Sequence, residues 1–191
     1  MRFTPNTQDL VVRDLTEEDL ATVDAYWGSL TKADHDRMKV DPAKLIRMAD
    51  RRHEILERLS IKDSKKASHA LIWQYQGNTI GVANLRNLHF GEDGEIHLHI
   101  FDPAKRRQGL GHRFFVLSLK KFATRFRLKK IFCEPASTNP APNQMLRKLG
   151  FPLVKTYRTV PGPVCLEHEV NRFEIDCASL DGLLHSLFNT P

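Results

Sequence analysis

Apolar residues recur at two periods along this chain, and the change from one period to the other marks its elements. "LVVRDL", residues 10–15, reads as a first strand. Thr16, followed three residues later by Asp19, offers a cap for a helix over "EEDLATVDAYWGSL", with Leu20, Val23 and Trp27 on one face. A second helix is expected over residues 41–59. Asp41 can cap it, Pro42 suits its first turn, and Leu45, Ile46, Ala49, His53, Ile55 and Leu59 recur at helical spacing. "HALIWQYQGNTIGVANLRNL" then reads as two strands joined at Gly77-Asn78, a pair suited to positive φ at a tight hairpin. "GEIHLHIF" alternates strictly, with Glu95, His97, His99 and Phe101 on one face and Ile96, Leu98 and Ile100 on the other.

From Leu110 the period becomes helical. Phe115, Leu119, Phe122 and Phe126 form an apolar stripe, and Arg113, Lys120, Lys121 and Arg127 stay outside it. "KKIFCEP" is another strand, "NPAPNQMLRKLGF" a short helix ending at Gly150, and "PLVKTYRTV" with "CLEHEVNRFEI" a last pair of strands around "PGP". The C-terminal segment, 177–191, carries Leu183, Leu184, Leu187 and Phe188 as a stripe that docks on the core or, in the alternative of a homodimer, on a second copy.

Mixed elements over 191 residues, 41% of them hydrophobic, point to a single α/β or α+β domain spanning 1–191, with residues 1–8 a loose terminus. No repeat or long linker divides it. The three cysteines are widely spaced with no CxxC pair, so neither a disulfide framework nor a zinc knuckle is indicated and a reducing cytoplasm is expected. No window has signal-peptide or membrane-spanning character, so no membrane association is expected. Lys and Arg outnumber Asp and Glu by 29 to 23, a balance of +6 that favours an anionic ligand without naming one.

The stretch "HIFDPAKRRQGLGHRFF", residues 99–115, gives that charge a location. A strand ends, a basic turn follows, and a helix begins near Gly109. The first N–H groups of a helix have no partner inside it, and its dipole puts partial positive charge there. Gly109 and Gly111 remove side chains from those amides, and Arg106 and Arg107 add charge, which makes an anion site. It has neither the Walker spacing nor the third glycine of a dinucleotide fingerprint.

In these residues the chain resembles the GCN5-related N-acetyltransferase (GNAT) superfamily. Arg106-Arg107-Gln108-Gly109-Leu110-Gly111 matches the family's cofactor motif between a strand and a helix, and Asn139, Lys148, Gly150 and Phe151 match its second signature. The resemblance covers roughly residues 10–176. It implies a mixed, mostly antiparallel sheet of six to seven strands, splayed between the fourth and fifth, with about four flanking helices. It implies acetyl-CoA as acyl donor, with the pyrophosphate on the amides of Arg106 to His112 and the pantetheine along the strand ending at Ile100, Phe101 and Asp102. Asn139 hydrogen-bonds that arm, and the Phe101 amide or a neighbour polarises the thioester carbonyl.

The resemblance also implies acyl transfer to a primary amine of a small molecule or peptide. Glu95 and His97 stand where branches of the family carry a proton acceptor acting through water, and an imidazole titrates near pH ~6.5. The family's tyrosine, which protonates the leaving thiolate, is replaced by Leu146, with Tyr157, Ser137 or solvent as substitutes. The acceptor pocket is expected in residues 31–60, where Asp34, Asp36 and Asp41 read either as cation attractors or as turn and cap residues. Two other functions compete: a catalytically silent acyl-CoA sensor, and a nucleic-acid module using Lys120, Lys121, Arg125, Arg127, Lys129 and Lys130. A solvated helix face explains those cations better, so nucleic acid is not expected as a partner. The His97-x-His99 pair lacks a third ligand of recognisable spacing, so no metal is expected.

Overall fold

The alternation in the middle of the chain becomes a meander of antiparallel strands in the computed structural model, which describes residues 9–46, 52–106 and 108–188. Strand β1 (Leu10–Asp14) pairs with β2 (His69–Tyr75), β2 with β3 (Asn78–His89), and β3 with β4 (Asp93–Ile100). The β2–β3 turn is centred on Gln76 (φ 50°) and Gly77 (φ 77°), one residue before the expected Gly77-Asn78 pair. Asn78 opens β3, and its side-chain amide donates back to the Gln76 carbonyl at 3.1 Å. Positive φ at both central residues gives the turn whose twist matches the strands it joins.

Strand β5 (Lys130–Cys133) is parallel to β4 through three residue pairs only, the last being Glu95 with Phe132. Beyond that point β4 runs on to Ile100 while β5 ends, which is the expected splay between the fourth and fifth strands.

The helical stripe after Gly109 is α5 (Leu110–Phe126), and its buried face is wider than the sequence pattern suggests. Leu110, Phe114, Phe115, Val116, Leu119, Phe122 and Phe126 are all fully buried. Each such side chain contributes about 1.5–3 kcal/mol relative to exposure, so this face dominates the local energetics. Trp73 stacks on Phe114 with ring centres 5.2 Å apart and donates to Ser118 at 2.8 Å, which satisfies the one polar atom of its buried indole. Helix α7 (Leu180–Phe188) packs along α5: Leu180 is fully buried, Lys120 pairs with Asp181, and Arg113 lies over the Phe188 ring.

By contact the chain forms two compact units, 1–15 with 62–132 and 175–191, and 16–61 with 133–174. The elements above make the first. The second holds α1 (Leu20–Gly28), α2 (Lys32–Met38), α3 (Pro42–Ile46), α4 (Arg52–Ser60), α6 (Pro140–Lys148), β6 (Leu153–Thr159) and most of β7 (His168–Asp176). Strands β6 and β7 are antiparallel, and α1 buries Tyr26 where Trp27 was expected. The helix expected over 41–59 is α3 and α4, and residues 47–51, Ala49 among them, lie outside the described residues. Seven helical stretches are thus described where about four helices were expected, residues 32–38 forming a short helix of their own.

Candidate active site

Glu95 is the most constrained acid of the first unit. Its side chain is 2% exposed, yet two donors and an imidazole nitrogen reach it: Arg86 Nη2 at 3.1 Å and Asn87 Nδ2 at 2.8 Å on Oε2, and His97 Nε2 at 2.6 Å from Oε1. Burial alone would raise its pKa, but the hydrogen bond and charge of His97, with the Arg86 guanidinium, outweigh burial and hold the carboxyl below its ordinary range. Consecutive strand residues normally point to opposite faces. Asn87 has φ 47°, and the β3–β4 register slips between Arg86 and His89, so this bulge turns both Arg86 and Asn87 onto one carboxylate oxygen. His97 is half-buried, its side chain 25% exposed, and Asn87 at the bulge is exposed.

The expected main-chain donor moves. Phe101 N–H donates to the Ile80 carbonyl at 2.8 Å and is therefore engaged with β3. Antiparallel pairing alternates which edge each residue's N–H and C=O address, so Leu98 and Ile100 present theirs to the side on which β5 has ended. Arg106 Nη2 donates to the Ile100 carbonyl at 3.0 Å, tying the basic turn to that edge. Asp102 accepts from the Ala104 amide at 2.8 Å, so its carboxylate caps the turn after β4.

At the helix start Gly109 has φ 77° with open space around its α-carbon, a backbone that glycine adopts without strain. Gly111 serves another purpose: a Cβ there would stand 3.2 Å from Ile100 Cδ1, so this glycine lets α5 approach β4. Leu110 buries its side chain completely, His112 is half-buried, and Gln108 donates to the Ala104 carbonyl at 2.6 Å. Arg107 lies outside the described residues.

In the second unit Asn139 is the N-cap of α6, and its side chain makes no capping bond. Buried Asn143 fixes this corner by donating to the carbonyls of Ala136 (2.9 Å) and Asn139 (2.7 Å) and accepting from Asn171 (2.7 Å). Leu146 is fully buried, a core position with no hydroxyl. The Tyr157 hydroxyl donates to Glu134 at 2.5 Å; burial and Glu134 raise its pKa, so it holds its proton more tightly than a free phenol. Asp34, Asp36 and Asp41 are cap and pair residues. Asp34 completes a capping box with Thr31 and pairs with Arg37, which lowers its pKa to about 2. Asp36 pairs with Lys32, and Asp41 accepts from the Ala43 amide.

The cations considered for nucleic acid are largely paired: Lys121 and Arg125 with Asp14, Arg125 also with Asp63, Lys120 with Asp181, and Lys129 with Glu92. Among the described residues no group of three or more His, Cys, Asp or Glu is placed to hold a metal ion, and no helix is long and apolar enough to cross a membrane. The sequence reading missed Arg86 and Asn87, whose signal is a bulge that only strand pairing reveals.

A strand parting from its neighbour beside a glycine-opened helix end, with an acid–imidazole pair on the same strand, is the arrangement expected of an acyl-CoA-dependent transferase. A family model, the acetyltransferase (GNAT) domain, matches residues 9–152, and the chain belongs to that family of N-acetyltransferases. Among solved structures, a mutant of the spermidine N-acetyltransferase SpeG from Vibrio cholerae superposes with a TM-score of 0.72 at 16% identity, covering 91% of this chain and 97% of that one. The same Vibrio cholerae enzyme in complex with CoA and spermine gives 0.69 at 17% identity, covering 91% and 99%. RimL, a ribosomal L7/L12 alpha-N-protein acetyltransferase in complex with coenzyme A, gives 0.73 at 14% identity, covering 91% and 97%. No curated protein matches the sequence.

Proposed function

We propose that this chain transfers an acetyl group from acetyl-CoA to a primary amine of a small molecule or peptide in the cytoplasm, acting as one domain. The observation that carries the reading is the parting of β4 from β5 after Glu95, directly ahead of the left-handed Gly109 and the start of α5. An extended, amide-bearing pantetheine adds to a strand edge by main-chain hydrogen bonds, here those of Leu98 and Ile100. The pyrophosphate rests on the amides from Gln108 to His112, the Arg106 amide being engaged by the Pro103 carbonyl at 3.1 Å, and the helix dipole and the Arg106 guanidinium favour negative charge there. Asn139 is the side-chain contact to the pantetheine arm.

His97, assisted by Glu95, deprotonates the amine. The acceptor is a single amine rather than a chain of cations: Asp34, Asp36 and Asp41 already serve caps and pairs, and the chain's +6 charge disfavours a polycation. The thiolate leaves without a tyrosine donor, since a thiol with pKa near ~8.5 is a tolerable leaving group.

Calorimetric titration of acetyl-CoA into the full chain tests the reading. Saturable binding at micromolar concentration, weakened about tenfold by Arg106→Ala, is the expected result. No heat of binding up to high micromolar acetyl-CoA would refute it.

A further inference from the structure

We infer that Glu95 is a positioning residue, held by Arg86 and Asn87, that keeps the proton of neutral His97 on Nε2 and so makes Nδ1 the atom that takes the proton from the amine. The inference rests on the proposed acetyl transfer and replaces a shared Glu95/His97 base by two distinct roles.

Hydrogen-bond accounting at the buried carboxylate carries it. His97 Nε2 lies between two opposed partners: Glu95 Oε1 at 2.6 Å, which only accepts, and Arg86 Nη2 at 2.7 Å, which only donates. One nitrogen cannot serve both. If Nε2 accepted from Arg86, Oε1 would lose its donor, because the other two donors, Arg86 and Asn87, both address Oε2. A carboxylate oxygen left bare on a side chain 2% exposed is the costlier arrangement. If Nε2 carries the proton, Oε1 is satisfied by His97 and Oε2 by Arg86 and Asn87, and Arg86 keeps an acceptor.

That tautomer leaves a lone pair on Nδ1, which no hydrogen bond among the described residues engages. Glu95 itself is unsuited to abstract a proton, being buried and ringed by donors to both oxygens. It stabilises the imidazolium that His97 becomes, as a carboxylate behind a catalytic imidazole does elsewhere.

The step balances as follows. His97 Nδ1 takes one proton from the bound ammonium, and the neutral amine attacks the thioester carbonyl. The C–N bond forms and the C–S bond breaks. The second proton lost by the nitrogen ends on the coenzyme thiolate, and the imidazolium returns its proton to solvent.

The test reads the proton directly, on the full chain with ¹⁵N-labelled histidine at about pH 8, above the ordinary imidazole range. The resonance that disappears in His97→Gln is His97. The inference expects a protonated Nε2 and an unprotonated Nδ1, and a shift of that proton in Glu95→Gln with kcat lowered at least tenfold and KM for acetyl-CoA unchanged. Asn87→Gly keeps the left-handed backbone and removes only the amide donor; it is expected to lower kcat about threefold to tenfold, again without changing KM. A proton on Nδ1 in the unmodified chain overturns the inference, as does an unchanged tautomer and kcat in Glu95→Gln. Should Glu95→Gln fail to fold, the unmodified chain and Asn87→Gly still decide. The Nε2–H tautomer in a chain that binds no acetyl-CoA would refute the function and leave the proton assignment standing.

Discussion

Two histidines of the first unit each sit between an acid and an arginine, with burial reversed between them. At His97 the carboxylate of Glu95 is buried and the imidazole is 25% exposed. At His69 the imidazole is 3% exposed and the carboxylate of Asp14 is 45% exposed. In both, an arginine bridges acid and ring: Arg86 to Glu95 and His97, and Arg125 to Asp14 (2.7 Å) and His69 (3.1 Å). Which member is buried decides what the group does. A buried acid with an accessible ring can exchange protons with a substrate. A buried ring, edge-on to Phe126 at 5.3 Å and Phe122 at 6.3 Å, serves instead as a tie between β1, β2 and α5.

The comparison breaks most sharply on paired substitutions. His97→Gln, whose amide still donates to Glu95, is expected to lower kcat by about 10²-fold or more, the usual range for a general base, while thermal stability stays within a few degrees. His69→Ala is expected to do the reverse, leaving kcat within about threefold and destabilising by roughly 1–3 kcal/mol through the unpaired polar groups and lost ring contacts. Turnover and thermal unfolding of both variants check this, and equal effects on turnover would erase the distinction.

A smaller effect is expected at the arginines. Arg125 makes a forked pair with Asp63 (2.8 and 3.0 Å) as well as the Asp14 contact, joining residues far apart in sequence. Arg125→Ala should destabilise by about 1–2 kcal/mol, a melting shift of roughly 2–8 °C for a chain of this size, with kcat nearly unchanged. Arg86→Ala should act mainly on kcat, because Arg86 touches both Glu95 Oε2 (3.1 Å) and the His97 ring (2.7 Å).

Acid provides the smallest and most specific contrast. Burial lowers the pKa of His69 more than its hydrogen bond to Asp14 raises it. The unfolded chain therefore takes up the proton near pH ~6.5 while the folded chain does not, so stability falls as pH drops below that value and levels off once the folded group titrates. Asp14 and Asp63, held below the ordinary range, add a loss that begins only as pH falls below about 4. Denaturant unfolding at about pH 7.5 and 5.5 should show this limb in the unmodified chain and a flatter one in His69→Gln; an unaltered slope would remove His69 as its source.

Much of the frame was legible in the sequence because it is written in local periods. The alternation from Glu95 to Phe101, the stripe of α5 and the glycine at its start all arise within a few residues of one another. What escaped depends on partners distant in sequence. The turn at Gln76-Gly77 uses a glutamine with positive φ, which no composition rule favours. The convergence of Arg86 and Asn87 on Glu95 needs a bulge in one strand aligned with a residue in the next. The Phe101 amide is engaged because of which edge the pairing turns it toward, information absent from β4 alone. Asp34 and Asp41 show the converse: their capping role was readable from spacing, and the structure places both in that role.

The central claim is that the chain moves an acetyl group to an amine, and release of coenzyme thiol from acetyl-CoA across a panel of small primary amines and peptide N-termini tests it most directly. The account predicts release that depends on at least one amine, saturates with it, and yields the acetylated acceptor in equal amount by mass. Binding of acetyl-CoA with no amine raising thiol release above background hydrolysis would contradict it and leave a silent acyl-CoA binder.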